Sequence, residues 1–173
     1  MPLLRWGLIP SWMNESLPGF KMINARSETV LAKESFRELL RSRRCLIPAD
    51  GFYEWKGAGK DKLPFCFTLA NESVFALAGL WERSKGPKGI VESCTILTTT
   101  PNELTRDIHD RMPVILPREA YGMWLNPGFT NVAELQRLLT PYPAEDMRRY
   151  RVSQRVNQVK NDDCECAAKI EAA

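Results

Sequence analysis

Glu54 stands in the stretch LIPADGFYEW, residues 46–55, between Phe52-Tyr53 and Trp55. A carboxylate among that many aromatics is costly to ionise once buried. If its face lines a cleft, the apolar neighbours lift its pKa toward neutrality, the condition of a general acid or base. An edge-strand glutamate standing in water is the plainer reading. His109 is the only histidine and lies in DIHDRMP beside Asp107, Asp110 and Arg111. A single imidazole that titrates near neutrality is a natural proton shuttle; a surface histidine paired with an aspartate is the alternative. Pro113 holds Met112 extended, so this loop is stiff enough to position a group. Asn24 and Arg26, in INAR, are two apart on an extended piece and point the same way. An amide and a guanidinium on one face can hold a phosphate or an oxyanion, unless Arg26 is taken by Glu28.

The elements that must position these residues are short. Asp50-Gly51 is a turn pair between two strands. Residues 64–70, 73–82 and 93–100 read as three further strands joined by Gly/Lys/Pro-rich loops. Residues 31–42, LAKESFRELLRS, place Ala32, Phe36, Leu39 and Leu40 on one helical face. TPNE at 100–103 reads as a capping box opening a short helix that ends near Asp107. A strand at RMPVIL, helices at PREAYGMWL and NVAELQRLL, a late strand at RRYRVS and a polar loop at RVNQVKNDD complete the pass. Strands and helices do not alternate regularly. The expectation is an α+β fold in a single domain, residues 1–173, with a curled, mainly antiparallel, barrel-like sheet flanked by short helices.

Composition narrows the function. Apolar residues make up 44% and charged residues 26%, the balance of a globular chain with a real core. A net charge of +3 permits a polyanionic partner without demanding one. Five cysteines, no signal peptide and no membrane-length apolar run fit a reduced, cytoplasmic protein. Cys45, Cys66 and Cys94 sit in apolar runs and read as core residues. Without CxxC and with one histidine, no metal and no cofactor is expected. There is no P-loop, GxGxxG, nucleophile elbow or HExxH.

Five tryptophans are many for this length. Most should be core, and Trp12, after Pro10-Ser11, is the best candidate for exposure. Exposed aromatics beside cations grip single-stranded nucleic acid, stacking bases and pairing phosphates. The cations include Arg37, Arg41, Arg43, Arg44, Arg148, Arg149, Arg151, Arg155 and Lys160, each of which alone reads as a solvated face.

Taken in order, RWGLIPSW, INARSET, RCLIPADGFYEWK, IHDRMPVIL and RVNQVKND resemble the SRAP (SOS response-associated peptidase) family across nearly the whole chain. The resemblance implies the same α+β architecture and binding of single-stranded DNA at abasic sites. It implies Asn24 near the reacting centre, Glu54 as the proton-transfer group and His109 at the opened deoxyribose. Arg26 and Arg111 would hold the DNA backbone and Trp12 would act as an aromatic wedge. Trp55 and Lys160 complete the expected DNA-binding set. A monomer is expected.

The family begins Met-Cys-Gly-Arg, and the amine and thiol of that cysteine close a thiazolidine on the abasic aldehyde, cross-linking protein to DNA. This chain begins Met1-Pro2, and its first cysteine is Cys45. The departure implies a shortened piece or a start codon set too far downstream, with the nucleophile upstream and the chain itself impaired in catalysis. Two other functions compete: a non-covalent single-stranded-DNA module, and an autoprocessing cysteine peptidase. A hydrolase class, or lyase-like Schiff-base chemistry, would follow from the family.

Overall fold

A computed structural model of the chain describes residues 3–13, 22–59, 62–86 and 89–170. The expectations for Met1-Pro2, for residues 17–21 and for the middle of two hairpin loops lie outside them. Among the described residues there are ten strands and three α-helices, in the order β1 (Arg5–Trp6), β2 (Asn24–Arg26), α1 (Glu34–Ser42), β3 (Arg44–Ala49), β4 (Phe52–Lys56), β5 (Leu63–Leu69), β6 (Phe75–Gly86), β7 (Gly89–Thr99), β8 (Met112–Pro113), β9 (Ile115–Leu116), α2 (Tyr121–Leu125), α3 (Val132–Arg137) and β10 (Met147–Arg151). The α+β expectation holds. The strands divide between two sheets, and short helices accompany them. Apart from β1 and β2, which run parallel to β7, the strand pairs whose direction is defined are antiparallel.

The chain forms two compact units: Met1–Pro48, Ala76–Thr99 and Pro113–Pro141 in the first, Ala49–Phe75, Thr100–Met112 and Tyr142–Ala173 in the second. The first holds the larger sheet, with β1, β7, β6 and β3 in order, β2 and β8 on β7, and β9 on β6, apart from end residues of β3, β6 and β8. Its core gathers Leu8, Ala25, Val30, Leu80, Leu97, Val114, Leu116, Trp124 and Leu135 with Phe36, Leu39 and Leu40 of α1. Each valine, leucine or phenylalanine buried there contributes about 1.5–3 kcal/mol. Ala32, expected on that helical face, precedes α1 and is exposed. At Gly79 in β6 an added Cβ would lie 2.7 Å from Cys45 Sγ and 2.8 Å from Ile47 Cδ1, so only glycine permits this approach of β3.

Arg44, one of the basic run, is not a solvated cation. It is buried and donates to the carbonyls of Leu40 at 2.7 Å, Trp124 at 2.6 Å and Phe129 at 3.2 Å, and also to Asn126 O. It thereby satisfies carbonyls that the ends of α1 and α2 leave without a partner inside the helix. Arg43 pairs with Glu82 at 2.6 Å. These two are spoken for by the fold.

The second unit carries the three-stranded sheet β10-β5-β4. The register sets Phe52 opposite Phe67, Glu54 opposite Phe65 and Lys56 opposite Leu63, with Arg149 opposite Phe67 on the other side. These residues share one face, because paired positions and alternate positions point the same way. Tyr53, Trp55, Cys66 and Tyr150 share the reverse face. The expected helix after residue 100 is not formed. Residues 103–108 are successive turns, and Asn102 rather than Thr100 is the capping residue: its Oδ1 accepts the Leu104 and Thr105 N–H groups, both at 3.1 Å. An asparagine that bonds its neighbours' N–H groups favours turns over helix propagation.

The expectation that most tryptophans are core is also corrected. Trp124 is fully buried, Trp55 and Trp81 are half-buried, and Trp6 and Trp12 are 58% and 68% exposed. β1 has only two residues, so nothing on its own strand covers Trp6, whose indole N–H donates to Ile23 O at 2.9 Å. No described helix is long and apolar enough to cross a membrane.

Candidate functional site

Glu54 is central to β4, and its side chain is 19% exposed. Its strand neighbour Phe52 stacks on Phe67 at 5.1 Å, and Phe65 lies opposite Glu54 itself. Ionising the carboxyl therefore gives up water for aromatic surface. Burial is the main cause that pushes its pKa up to about 6; nearby His109 opposes the rise and Asp110 adds to it. At pH 7 roughly a tenth of the population is protonated. The carboxyl is then both an available acid and a competent base.

His109 closes on this carboxyl from the turn segment. Its Nδ1 lies 3.7 Å from Glu54 Oε2 and 3.5 Å from Asp110 Oδ1, and accepts the Arg111 backbone N–H at 3.1 Å. The ring is 42% exposed, so a substrate can reach it. The segment is tied down on both sides. Ile108 N–H and His109 N–H donate to Thr105 O at 2.9 and 3.0 Å, and Asn102 Nδ2 donates to Tyr142 O at 2.7 Å. Asp107 accepts from Arg149 and pairs with Lys56 Nζ at 3.5 Å, while Arg149 also donates to Leu104 O at 2.7 Å. Lys56 is two residues past Glu54 on the same strand face. Sequence reasoning marked Asp107 only as a neighbour of His109, and it missed Lys56 and Arg149 as its partners. Three residues so far apart in the chain leave no local pattern.

The second unit thus brings Glu54, His109 and Asp110 together, with Arg111 half-buried next in sequence. Asn24 and Arg26 belong to the first unit, on β2 against Ile96 and Thr98 of β7. Both are exposed and Ala25 between them is buried, so they share an outer face as their spacing implies. Trp12, in the same unit, lies within a turn closed by Met13 N–H to Pro10 O at 2.9 Å. Trp55 stands on the reverse face of β4 from Glu54. It is 6.4 Å from Tyr53, its indole N–H donates to Asn157 at 2.6 Å, and Lys62 lies over its ring at 4.7 Å. Lys160 is exposed. Burial pushes the Cys45 thiol up to about 12 and also raises those of Cys66 and Cys94. Among the described residues no group of three or more His, Cys, Asp or Glu could hold a metal ion.

The model of the SOS response associated peptidase (SRAP) family matches residues 1–159. The chain belongs to the SRAP family. It is 54% identical over 164 residues to the abasic site processing protein YoqW of Bacillus subtilis, covering 94% of this chain and 73% of that protein. It is 36% identical to the chicken abasic site processing protein HMCES, covering 97% of this chain and 57% of that protein. Among solved structures, a Bacteroides thetaiotaomicron protein matches with a TM-score of 0.86 at 33% identity, covering 96% of this chain and 76% of that one. A Bordetella bronchiseptica protein matches with a TM-score of 0.76 at 35% identity, covering 87% and 76%. The SRAP resemblance carried by the sequence motifs is therefore established, and the fold class with it.

Proposed function

We propose that this SRAP chain processes abasic sites in single-stranded DNA, with Glu54 and His109 as its proton-transfer pair. The observation that carries the reading is the Glu54 carboxyl itself: 19% exposed, set among phenylalanines and 3.7 Å from the histidine. The names of the relatives supply the substrate class.

The chemistry needs such a pair. Opening the abasic hemiacetal breaks C1′–O4′; O4′ gains a proton, from His109, and the C1′ hydroxyl loses one. An amine of the polypeptide then adds to the aldehyde carbon, and its proton passes to the oxygen, giving a carbinolamine. Protonated Glu54 donates to the departing hydroxyl, water leaves and an iminium remains. The resemblance assigns Arg26 and Arg111 to the DNA backbone, Asn24 to the reacting centre and Trp12 to a wedge against a base. Trp55 and Lys160 extend the grip on the strand.

A stable cross-link requires a thiol next to the reacting amine, the part the resemblance assigns to the family's N-terminal cysteine. Cys45, Cys66 and Cys94 are poor substitutes, because burial keeps them as thiols. The same fact weighs against a peptidase that uses one of them.

The test is a single-stranded oligonucleotide with one abasic site, incubated with the chain and run on a denaturing gel with and without borohydride. The chain starting at Met1 is expected to give a band only with reductant. The chain carrying the family's N-terminal segment, Met-Cys-Gly-Arg with the residues that follow it, is expected to give one without it. Glu54→Gln should slow both about tenfold or more, roughly 1.4 kcal/mol of barrier, while leaving DNA affinity nearly unchanged. A reductant-independent band from the unextended chain would move the nucleophile to an internal cysteine. Binding with no band in any arm would leave a non-covalent single-stranded-DNA module.

A further inference from the structure

The ion-paired aspartate two residues before His109 is not used by this mechanism, yet with the Arg149 bond to Leu104 O it fastens the histidine's segment to the sheet that carries Glu54. Asp107 Oδ1 takes the Arg149 guanidinium and Oδ2 takes Lys56. Arg149, on β10, reaches back to Leu104 O in the same segment. Lys56, on β4, is two residues from Glu54 on the same face. The two cations come from the two outer strands of a three-stranded sheet, and the carboxylate lies between them. Within the segment, Asn102 and Thr105 fix the first turn and Thr105 O receives the His109 N–H. Asp107 is the side chain that fixes the second turn laterally. The charged groups around Glu54 and His109 are Asp110 and Arg111 on the segment itself, Lys56 on β4 and Arg149 on β10.

We propose that Asp107, held by Lys56 and Arg149, is a positioning residue that sets His109 against Glu54, and that in doing so it withholds both cations from DNA phosphate. The proposal rests on the proton-transfer reading above. It has a consequence that a purely structural role lacks: removing the charge should harm chemistry and improve binding at once. Lys56 and Arg149, released from the carboxylate, become available to phosphates. His109, released from the sheet, loses its distance to Glu54.

The experiment compares the wild-type chain with Asp107→Asn, Lys56→Met, Lys56→Arg and Glu54→Gln. The first readout needs no activity: 13C and 15N NMR titration of the Glu54 carboxyl and the His109 ring. In the wild type each group should register the other's titration. In Asp107→Asn that mutual response should vanish and the Glu54 pKa should rise, because the nearby histidine opposes the rise. The second is the borohydride-trapped adduct rate at saturating abasic DNA, expected to fall about tenfold in Asp107→Asn. The third is affinity for an undamaged single-stranded oligonucleotide, expected to rise severalfold at low salt with a steeper salt slope. Lys56→Met should weaken the coupling, and Lys56→Arg should restore it. If Asp107→Asn keeps the NMR coupling and the adduct rate while Glu54→Gln slows the adduct, the clamp is overturned and the proton-transfer reading stands. If Glu54→Gln leaves the rate unchanged, that reading fails, whatever Asp107 does. Affinity falling with rate in Asp107→Asn, the coupling intact, also overturns the proposal; should that variant unfold, Lys56→Met decides by the same coupling.

Discussion

Glu54 is a carboxyl that the fold holds at a cost. Its pKa is about 6 in the folded chain and ordinary, near 4.5, when unfolded. A carboxyl whose folded pKa is raised binds more protons folded than unfolded between those two values, so stability falls as pH rises from about 4.5 to 6. Above that window the penalty is complete, on the order of 1–2 kcal/mol for a side chain this buried. Glu54→Gln keeps the shape and removes the charge. It should raise the melting temperature at pH 7.5 by a few degrees relative to wild type and give no gain at pH 4. An equal gain at both pH values would mean that the effect is packing and not ionisation. The same substitution should slow chemistry, the usual exchange between stability and a strained site. Residues 52–55 alone left the raised pKa as one of two readings, because only Phe52 shares Glu54's face within them; Phe65 and Phe67, which β5 sets on that face, decide it. The partner that opposes the rise was not legible, because nothing in DIHDRMP says which strand it meets.

At the scale of elements, Arg44 ties together segments of the first unit. It donates to carbonyls at the end of α1 and at the end of α2 and beyond, joining two helices too short to stand alone. Arg44→Met would leave several of those acceptors buried without a donor, at about 1–3 kcal/mol each where water cannot enter. A total loss of about 3 kcal/mol is expected, read as a lower urea midpoint with an unchanged slope. A loss below about 0.5 kcal/mol would mean that water replaces the guanidinium. In the sequence Arg44 closes the run RSRRC and looks like its neighbours. Burial separated it from them.

At the scale of the whole molecule, a net charge of +3 is too small to give strong binding to any polyanion by itself. Grip on DNA must come from a few placed cations and exposed rings. Affinity for single-stranded DNA should exceed that for duplex and fall steeply with salt. Arg26→Ala and Arg111→Ala should each reduce the slope of log affinity against log salt by about one. Trp12→Ala should weaken binding by about tenfold with the slope unchanged, because stacking releases no counterions. Fluorescence anisotropy across a salt series separates the two classes, and an unchanged slope in Arg26→Ala would place that guanidinium off the phosphates.

The sequence alone determined the family, the fold class, the amphipathic α1, the run of strands through β7, the shared outer face of Asn24 and Arg26 and the exposure of Trp12. Each of these is written in a residue and its near neighbours, through strand alternation, helical period or a contiguous motif. The tertiary structure decided the rest: Glu54 beside His109, Asp107 between Lys56 and Arg149, Arg44 inside, Trp6 outside and turns in place of the helix after residue 100. Those outcomes depend on which strands pair and in what register. A shift of one residue in β4 against β5 would turn Glu54 to the reverse face, and that register is selected by the packing of the whole sheet rather than by any short stretch of it.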